Sequence, residues 1–254
     1  MDLAPYEAFI RTLAEESGKI IRPYFANPDL TIELKADETV VTVADREAEL
    51  RMRELIEKTY PDHGIIGEEF EEKMTGSEFS WILDPIDGTI SFAGDCPLFG
   101  TLIALLHNGQ PILGAINNPV TEQLCIGDGK TTTLNGRPVR VRDTTDLSKA
   151  TLLTTDIKNI AEYQDRSRFD RLLDQVALFR GWGDCYGYLL LASGKADIMI
   201  DPIMNAWDLL PVIPVIRGAG GVVTAWDGGD PVTASACVAA GPHVHGQVLE
   251  ILNG

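Results

Sequence analysis

The sequence predicts a mixed α/β protein whose chain forms two halves. Two early segments, residues 3–25 and 43–60, carry apolar residues at helical spacing. Short strand-like runs separated by turn residues complete the first half. After about residue 147, strand-like and helix-like segments alternate, which is typical of α/β packing. We therefore expect an N-terminal α+β half over residues 1–147 and a C-terminal α/β half over residues 148–254.

In the first half, Thr42 is a candidate N-cap for the second helix. Short strands follow at 64–68, 79–83, 98–107 and 111–117. The pair Asn108-Gly109 separates the last two of these strands. Because both residues tolerate a positive φ, Asn-Gly between apolar runs predicts an antiparallel hairpin.

The second half shows a regular alternation of strands and helices. Its predicted elements are a strand at 151–155, a helix that includes Phe169 and Leu172, a strand near 178–183, a helix at 185–193, a strand at 197–200 and a helix at 206–217. The glycine-rich stretch 218–221 ends that last helix, and a β-rich tail and a final helix follow. Pro214 lies inside the 206–217 helix and lacks an N–H group, so we expect a kink or a shifted helix start.

Composition excludes several classes of partner. The 254 residues contain 21 Lys+Arg against 38 Asp+Glu, a formal net charge of −17. This balance disfavours nucleic acids and anionic membranes, which attract positive surfaces. The four cysteines are far apart, which argues against a zinc or disulfide framework. With no signal-peptide pattern or bilayer-spanning run, we expect a cytoplasmic protein.

The most informative stretch is Trp81-Ile82-Leu83-Asp84-Pro85-Ile86-Asp87-Gly88-Thr89. A strand-like run ends in two carboxylates three residues apart, and carboxylate oxygens are the ligands that Mg²⁺ prefers. The Gly88-Thr89 step can present backbone N–H groups to an anion. The alternative is a turn in which the two aspartates only cap backbone groups.

Three further acidic side chains each allow a functional and a structural interpretation. Glu68, in Gly67-Glu68-Glu69, follows a predicted strand and could bind a cation or lie in solvent. Asp208 and Asp45 lie at predicted helix starts, where acids commonly cap backbone N–H groups. Asp45 in particular stands at capping-box spacing from Thr42. The combination of these signals is more informative than any one of them.

Taken together, these motifs resemble those of the inositol monophosphatase superfamily of metal-dependent, lithium-sensitive phosphatases. The matching stretches are Gly67-Glu68-Glu69, Asp84-Pro85-Ile86-Asp87-Gly88-Thr89, and Trp207-Asp208 ahead of Gly218-Ala219-Gly220-Gly221. Lys35 and Asp45 match the family's early lysine and aspartate. The resemblance spans the whole chain and implies a layered αβαβα sandwich of the sugar-phosphatase type. It also implies a metal-dependent phosphoric monoester hydrolase that forms a homodimer.

The resemblance further implies roles for individual residues. Glu68, Asp84 and the Ile86 carbonyl would bind one Mg²⁺, and Asp84, Asp87 and Asp208 a second. A third ion is possible near Glu68; Mn²⁺ could substitute, and Li⁺ or Ca²⁺ would inhibit. Asp45 and Thr89 would orient and deprotonate the attacking water, with Glu68 the third catalytic residue. Asp87, Gly88 and Thr89 would surround the phosphate.

Within the superfamily, the histidinol-phosphate phosphatase branch, which acts in histidine biosynthesis, is the most similar. The stretches 180–188 and 99–107 carry this finer resemblance. It implies that Asp184, Asp201 and Arg180 contact the leaving group, with Asp184 selecting a cationic substrate. Alternatively, Asp184 caps the 185–193 helix, and Arg180 pairs with an acid across a subunit interface.

Other functions remain open at this point. An inositol-1-monophosphatase, or another sugar or nucleotide phosphatase of the superfamily, would share the same motifs. An aspartyl-nucleophile phosphatase of the haloacid dehalogenase type has the motif D-x-D-x-T, one residue shorter than Asp84–Thr89 here. A non-catalytic interaction partner of the transcription machinery is the remotest alternative.

Overall fold

The computed structural model describes residues 1–34 and 40–254. The helices of this part are α1 (Ala4–Ile21), α2 (Val43–Thr59), α3 (Thr89–Ala93), α4 (Ile157–Tyr163), α5 (Arg166–Leu173), α6 (Asp184–Ala192), α7 (Ala206–Gly218) and α8 (Pro242–Asn253). The strands are β1 (Ile32–Leu34), β2 (Val40–Thr42), β3 (Gly64–Gly67), β4 (Phe79–Asp87), β5 (Gly100–His107), β6 (Gln110–Asn118), β7 (Gln123–Gly127), β8 (Thr132–Leu134), β9 (Arg137–Pro138), β10 (Thr151–Leu153), β11 (Leu178–Arg180), β12 (Ile198–Asp201), β13 (Val222–Ala225) and β14 (Cys237–Ala240). The predicted mixed α/β class is confirmed.

The first large sheet has seven strands in the order β3-β4-β5-β6-β7-β8-β9. Strands β3 and β4 are parallel, and the other neighbours are antiparallel. The predicted β5–β6 hairpin is confirmed: Asn108 has φ of 50° and Gly109 of 76°, the positive values that a two-residue turn of this kind requires.

The second large sheet has five strands in the order β11-β10-β12-β14-β13. Strands β11, β10 and β12 are parallel, and β14 and β13 pair antiparallel at the other edge. The carboxyl end of β12 carries Asp201, one of the predicted site residues. The division of the chain into two halves near residue 147 stays a prediction.

Alternation along the strands places the two sheets between three helical layers. In β4, Trp81 and Leu83 pack with α1 and α2, whereas Ile82 faces α6 and α7. In β12, Met199 faces α6 and α7, whereas Ile198 packs with α5 and α8. Because successive side chains point to opposite faces, each sheet is buried on both sides. The layered αβαβα sandwich is therefore confirmed.

Helix α7 lies directly against the first sheet and contains both prolines. It begins at Ala206, so Pro214 does not shift the helix start from its predicted position. The close approach depends on glycine in the sheet, because a Cβ at Gly114 would lie 2.1 Å from the Pro211 carbonyl oxygen. A Cβ at Gly127 would lie 2.5 Å from the Val215 Cα. Tertiary packing therefore holds a helix that its prolines disfavour.

In the part of the chain that the structure describes, none of the helices combines the length and apolar character needed to cross a membrane.

Candidate active site

The site centres on three carboxylates from two elements. Asp84 and Asp87 lie at the end of β4, and Asp208 lies in the first turn of α7. One carboxylate oxygen from each of the three lies within 4.8 Å of the others. The three residues that the resemblance assigned to the second Mg²⁺ thus lie close together in the folded chain.

A β-bulge explains how Asp84 and Asp87 come to face the same side. Residues three apart on a regular strand point to opposite faces of the sheet. Here Asp84 pairs with Leu102 and Asp87 with Gly100, so β4 contains one more residue than β5 over this interval. The extra residue restores both carboxylates to one face. Pro85, which has no N–H to donate, lies within the bulge.

Asp84 is the carboxylate whose surroundings best fit a cation ligand. Its side chain is buried, and its Oδ1 atom has no hydrogen-bond partner among the described residues. Desolvation, followed by the charges of Glu68, Asp87 and Asp208, raises its pKa well above the usual range. An unpartnered carboxylate oxygen beside other acids is unfavourable without a cation, and oxygen ligands suit Mg²⁺. The residues present therefore fit a hard divalent ion.

Asp208 and Asp87 each use one oxygen for a backbone N–H. Asp208 Oδ2 accepts the Asn205 N–H at 2.7 Å in a capping box, so the capping interpretation holds for that oxygen. Asp87 Oδ2 accepts the N–H of Cys185 at the start of α6. Desolvation is the main cause that raises the pKa of Asp87 and brings that of Asp208 to about 6. Both side chains retain a second oxygen for a cation.

Glu68 and Ile86 also lie beside this cluster. Glu68 follows β3, the parallel neighbour of β4, and its N–H donates to the Leu83 carbonyl at 3.2 Å. Its charge contributes to the raised pKa of Asp84 and Asp208. The Ile86 carbonyl accepts the Thr89 hydroxyl at 3.0 Å.

Asp45 combines a structural and a possible catalytic contact. Its Oδ2 accepts the Thr42 N–H at 2.8 Å and the Thr42 hydroxyl at 2.6 Å, which confirms the capping box. Its Oδ1 lies 3.3 Å from the Thr89 hydroxyl. Desolvation raises the pKa of Asp45 to about 6, although the bonds from Thr42 oppose that rise. The pKa of the Asp45 carboxyl group therefore lies near neutral pH. Its contact with the Thr89 hydroxyl connects it to the end of β4.

Gly88 connects the bulge to the five-residue helix α3. Its φ is 91°, in the left-handed region that favours glycine. A Cβ here would lie 2.9 Å from Asp184 Oδ2 and 3.0 Å from the Leu98 carbonyl oxygen. Glycine thus allows Asp184, from the middle helical layer, to approach the bulge.

A pocket adjoins the three carboxylates on the side of the second sheet. Its lining consists of acidic, neutral polar and apolar residues, and none of the lining residues in the described chain is a lysine or arginine. The lining residues are Asp87, Thr155, Asp156, Asn159, Asp184, Tyr188, Asp201, Pro202, Ile203, Met204 and Asp208. The pocket therefore favours a cationic group over an anionic one.

Two of the predicted substrate residues line this pocket. Asp184 has φ of 49° and its side chain makes no capping bond, so the helix-capping alternative is not seen. Desolvation, then the charges of Asp201 and Asp208, raises its pKa to about 7. Asp201 accepts the Thr155 N–H at 3.1 Å and the Tyr188 hydroxyl at 2.9 Å, and desolvation raises its pKa to about 6.

Arg180 lies outside the pocket lining. Its guanidinium lies 6.0 Å from the ring centroid of Trp182 and donates to the Phe179 carbonyl. Both Arg180 and Trp182 are exposed. Its predicted substrate contact therefore stays a prediction. Lys35 lies outside the described residues.

Sequence reasoning assigned no role to Tyr188, Thr155 or Asp156. Tyr188 is four residues after Asp184 on α6, and that spacing could have placed both on one helix face. The contribution of Thr155 is a backbone N–H together with a hydroxyl that accepts the Asp184 N–H at 2.8 Å. The contacts of Thr155 with Asp201 and Asp184 join residues distant in sequence, so no local pattern indicates them.

The chain belongs to the inositol monophosphatase family, whose model matches residues 2–253. It is a phosphatase of this family. A histidinol-phosphatase from Chlorobaculum parvum is 42% identical over 210 residues, which cover 82% of this chain and 81% of the relative. A histidinol-phosphatase from Mycobacterium tuberculosis is 36% identical over 247 residues, covering 95% of each. A solved inositol monophosphatase from Zymomonas mobilis is 32% identical, covers 100% of both chains and has a TM-score of 0.86.

Proposed function

We propose that this phosphatase is a Mg²⁺-dependent hydrolase that converts L-histidinol phosphate and water into L-histidinol and phosphate. The observation that supports the metal dependence is the buried Asp84 Oδ1 among three converging carboxylates, which has no hydrogen-bond partner in residues 1–34 and 40–254. The acidic pocket beside it supports a cationic leaving group. The names of two relatives, both histidinol-phosphatases, support the same substrate.

In this proposal Asp84, Asp87 and Asp208 hold one divalent ion, and Glu68, Asp84 and the Ile86 carbonyl hold another. A bound divalent ion supplies a Lewis acid that lowers the pKa of water and offsets phosphate charge. Mn²⁺ can replace Mg²⁺ at such all-oxygen ligand sets. Burial strengthens the case, because ionised carboxylates this close together repel one another without a cation.

Asp45 is the final acceptor of the attacking water's proton, because the Thr89 hydroxyl would pass its own proton to Asp45 Oδ1 as it takes one from the water. The 3.3 Å contact between Asp45 Oδ1 and the Thr89 hydroxyl offers a short route from the water to a carboxylate. Since the pKa of Asp45 is about 6, the group is mostly ionised at pH 7 and can still accept a proton. Asp87 and the Gly88 and Thr89 backbone would orient the phosphate.

The leaving group lies against Asp184 and Asp201. Histidinol carries an ammonium group and an imidazole, whereas inositol carries no positive charge. A charged hydrogen bond contributes about 1.5–3 kcal/mol, enough to favour histidinol phosphate by roughly one to two orders of magnitude. With five aspartates in the pocket lining and no lysine or arginine among its described residues, the electrostatic preference has one direction.

The decisive experiment measures phosphate release with and without Mg²⁺. The substrates are histidinol phosphate, inositol 1-phosphate, fructose 1,6-bisphosphate and adenosine 3′,5′-bisphosphate. We expect Mg²⁺-dependent turnover with the highest kcat/KM on histidinol phosphate. Asp84→Asn should remove that activity and also abolish Mn²⁺ binding by calorimetry in the folded protein.

Higher kcat/KM on inositol 1-phosphate would favour the second candidate, an inositol-1-monophosphatase, which the whole-chain similarity to the Zymomonas mobilis enzyme supports. A phospho-aspartate trapped at Asp84 would instead favour the aspartyl-nucleophile mechanism. Inhibition by Li⁺ or Ca²⁺, a homodimer, and a cytoplasmic role in histidine biosynthesis rest on the family resemblance and stay predictions.

A further inference from the structure

A pair of side chains on α2 fastens the turn that carries Glu68. Glu49 Oε2 accepts the Glu69 N–H at 2.8 Å, and Glu49 Oε1 accepts Arg53 Nε at 2.7 Å. The Arg53 guanidinium also donates to the Glu71 carbonyl at 3.0 Å and the Phe70 carbonyl at 3.1 Å. Its Cζ atom lies 5.7 Å from the centroid of the Phe70 ring. We call this pair the Glu49–Arg53 clamp.

The clamp is buried beneath an otherwise open turn. The Glu49 side chain is 0% exposed and that of Arg53 11% exposed, although Phe70 above them is exposed. Gly67 makes room for it, since a Cβ there would lie 2.1 Å from Glu49 Oε1. Burying two charges costs free energy that an apolar pair would avoid. Both charged side chains form hydrogen bonds with backbone groups of residues 69–71, and these bonds fix the position of the turn.

Helix α2 gives the clamp its relevance to the site. Asp45 is in the first turn of α2, and Glu49 follows four residues later on the same face. The clamp therefore fixes the turn that bears Glu68 against the same helix that holds Asp45. Glu68 N–H is anchored separately to the Leu83 carbonyl of β4. Together these bonds fix the backbone on both sides of the Glu68 side chain.

We infer that Glu49 and Arg53 are positioning residues that preorganise Glu68 to bind a divalent ion. This rests on the metal role proposed above for Glu68. Arg53 suits the task because its planar guanidinium bonds to a carboxylate and two carbonyls at once, which an ammonium group does not do in one geometry. Residues that hold metal ligands in place typically change metal affinity by about 10–100-fold when replaced.

The test uses metal-free, full-length protein and Mn²⁺ as the probe. Arg53→Lys keeps the charge opposite Glu49 but loses the two-carbonyl contact, and Arg53→Gln also loses the charge. We expect about tenfold weaker Mn²⁺ binding by calorimetry for Arg53→Lys, and a larger loss for Arg53→Gln. Amide hydrogen exchange of residues 69–71 should become about tenfold faster. The Mg²⁺ concentration for half-maximal activity should rise while the KM for substrate at saturating Mg²⁺ stays unchanged.

The matched control is Arg51→Gln on the same helix. Arg51 donates to Glu16 at 2.6 Å and to Glu54 at 3.3 Å, and neither acceptor belongs to the turn of residues 68–71. The Mn²⁺ affinity of the Arg51→Gln protein should remain within twofold of that of the parent. If Arg53→Gln fails to fold, Arg53→Lys decides the question alone.

Two results would overturn the inference. Mn²⁺ affinity of Arg53→Lys within twofold of the parent, with or without faster exchange, would leave the clamp a purely structural contact. Failure of the parent itself to bind Mn²⁺, or equal binding in Asp84→Asn, would remove the proposed metal site and the clamp's role with it. The Asp84→Asn measurement thus separates failure of the clamp from failure of the proposed function.

Discussion

Asp184 adopts a backbone conformation, φ of 49°, that is uncommon for residues other than glycine, asparagine and aspartate. The conformation places a half-buried carboxylate against Gly88, where the phosphate and the leaving group would meet. Its side chain caps no helix, and its pKa of about 7 reflects desolvation and neighbouring acids. The ionised form of Asp184 is therefore unfavourable in the folded protein, and a bound cationic group would stabilise it.

Asp184→Asn tests that interpretation at the level of one side chain. Asparagine tolerates the same φ and has nearly the same shape, so the backbone should remain unchanged. Because a charged hydrogen bond is lost, kcat/KM for histidinol phosphate should fall about tenfold or more, while that for inositol 1-phosphate changes less than threefold. Steady-state kinetics on both substrates measures the ratio.

Asp156→Asn is the matched control for this prediction. Asp156 also lines the pocket, but it is exposed and its Oδ1 accepts the Lys158 N–H, a cap that asparagine can replace. It should change both substrates by less than threefold. Equal losses on the two substrates in Asp184→Asn would reject a selective role for that carboxylate.

At the scale of secondary-structure elements, α7 lies directly against the first sheet and carries Asp208. The sheet accepts the helix only because Gly114 and Gly127 have no side chains. The helix backbone thus fixes the distance between Asp208 and the two carboxylates of β4. Packing at these glycines and the geometry of the three carboxylates should therefore change together.

Gly114→Ala should destabilise the protein and weaken metal binding. Its Cβ would lie 2.1 Å from the Pro211 carbonyl oxygen, so α7 must move. Overpacking of this kind costs about 1–3 kcal/mol. Urea unfolding measures the free energy, and Mn²⁺ calorimetry measures the effect on the site.

Gly246→Ala in α8 provides the opposite control. Its Cβ would have no heavy atom within 4 Å, and alanine is a better helix former by up to about 1 kcal/mol. This variant should be as stable as the parent or more so. Gly114→Ala with unchanged stability would contradict the close packing of α7 on the sheet.

Helix α2 offers a second prediction at this scale. Thr42 caps α2 and holds Asp45 Oδ2 through its hydroxyl at 2.6 Å. Thr42→Ala should reduce the free energy of unfolding by about 1 kcal/mol and should lower kcat, because Asp45 loses a bond that orients it. Urea titration and steady-state kinetics check the two effects.

Thr12→Ala in α1 is the comparison, since the Thr12 hydroxyl donates to the Ala8 carbonyl at 3.3 Å on the exposed surface. It should change stability by no more than about 0.5 kcal/mol. A Thr42→Ala protein as stable and as active as Thr12→Ala would show that the capping box has no role in the site.

Across the whole molecule, the acids whose pKa is brought to about 6 or 7 are all members of the candidate site. Desolvation raises the pKa of Asp45, Asp201 and Asp208 to about 6 and that of Asp184 to about 7. Folding without a cation therefore takes up protons relative to the unfolded chain. In the metal-free protein at neutral pH, the ionised carboxylates of the site should repel one another, and bound divalent ions should reduce that repulsion.

The sign of the pH dependence follows from these raised pKa values. Since the folded protein binds more protons between about pH 4 and pH 7, its stability falls as the pH rises through that window. Metal-free protein should thus have a higher Tm at pH 5.5 than at pH 8, and Mg²⁺ at pH 8 should restore much of the difference. Calorimetric melting with and without Mg²⁺ measures this.

Asp184→Asn again isolates one contribution. The lowered pKa values of His63 and His245, caused by desolvation, act in the opposite direction and are common to both proteins. The pH-dependent loss of stability should be smaller in Asp184→Asn by about 2 kcal/mol. A Tm that rises steadily from pH 5.5 to pH 8 in metal-free protein, unaffected by this substitution, would contradict the repulsion among these carboxylates.

The amino-acid sequence by itself predicted most of the elements and the carboxylates at the centre of the site. Apolar spacing and the Asn108-Gly109 turn predicted helices and a hairpin, because these signals act between neighbours along the chain. The motif residues Glu68, Asp84, Asp87 and Asp208 were identifiable because their combined pattern resembles the motifs of a known phosphatase family, although each acid alone also allowed a structural role.

Tertiary structure decided how those residues meet. The bulge that turns Asp84 and Asp87 to one face, the contact between Asp184 and Gly88, and the Glu49–Arg53 clamp all join groups through strand pairing or through backbone atoms. The type of residue at a position does not show which backbone atoms or neighbouring strands it will contact. The contacts depend on the packing of separate elements, and so only the folded chain specifies the distances and the burial on which the chemistry depends.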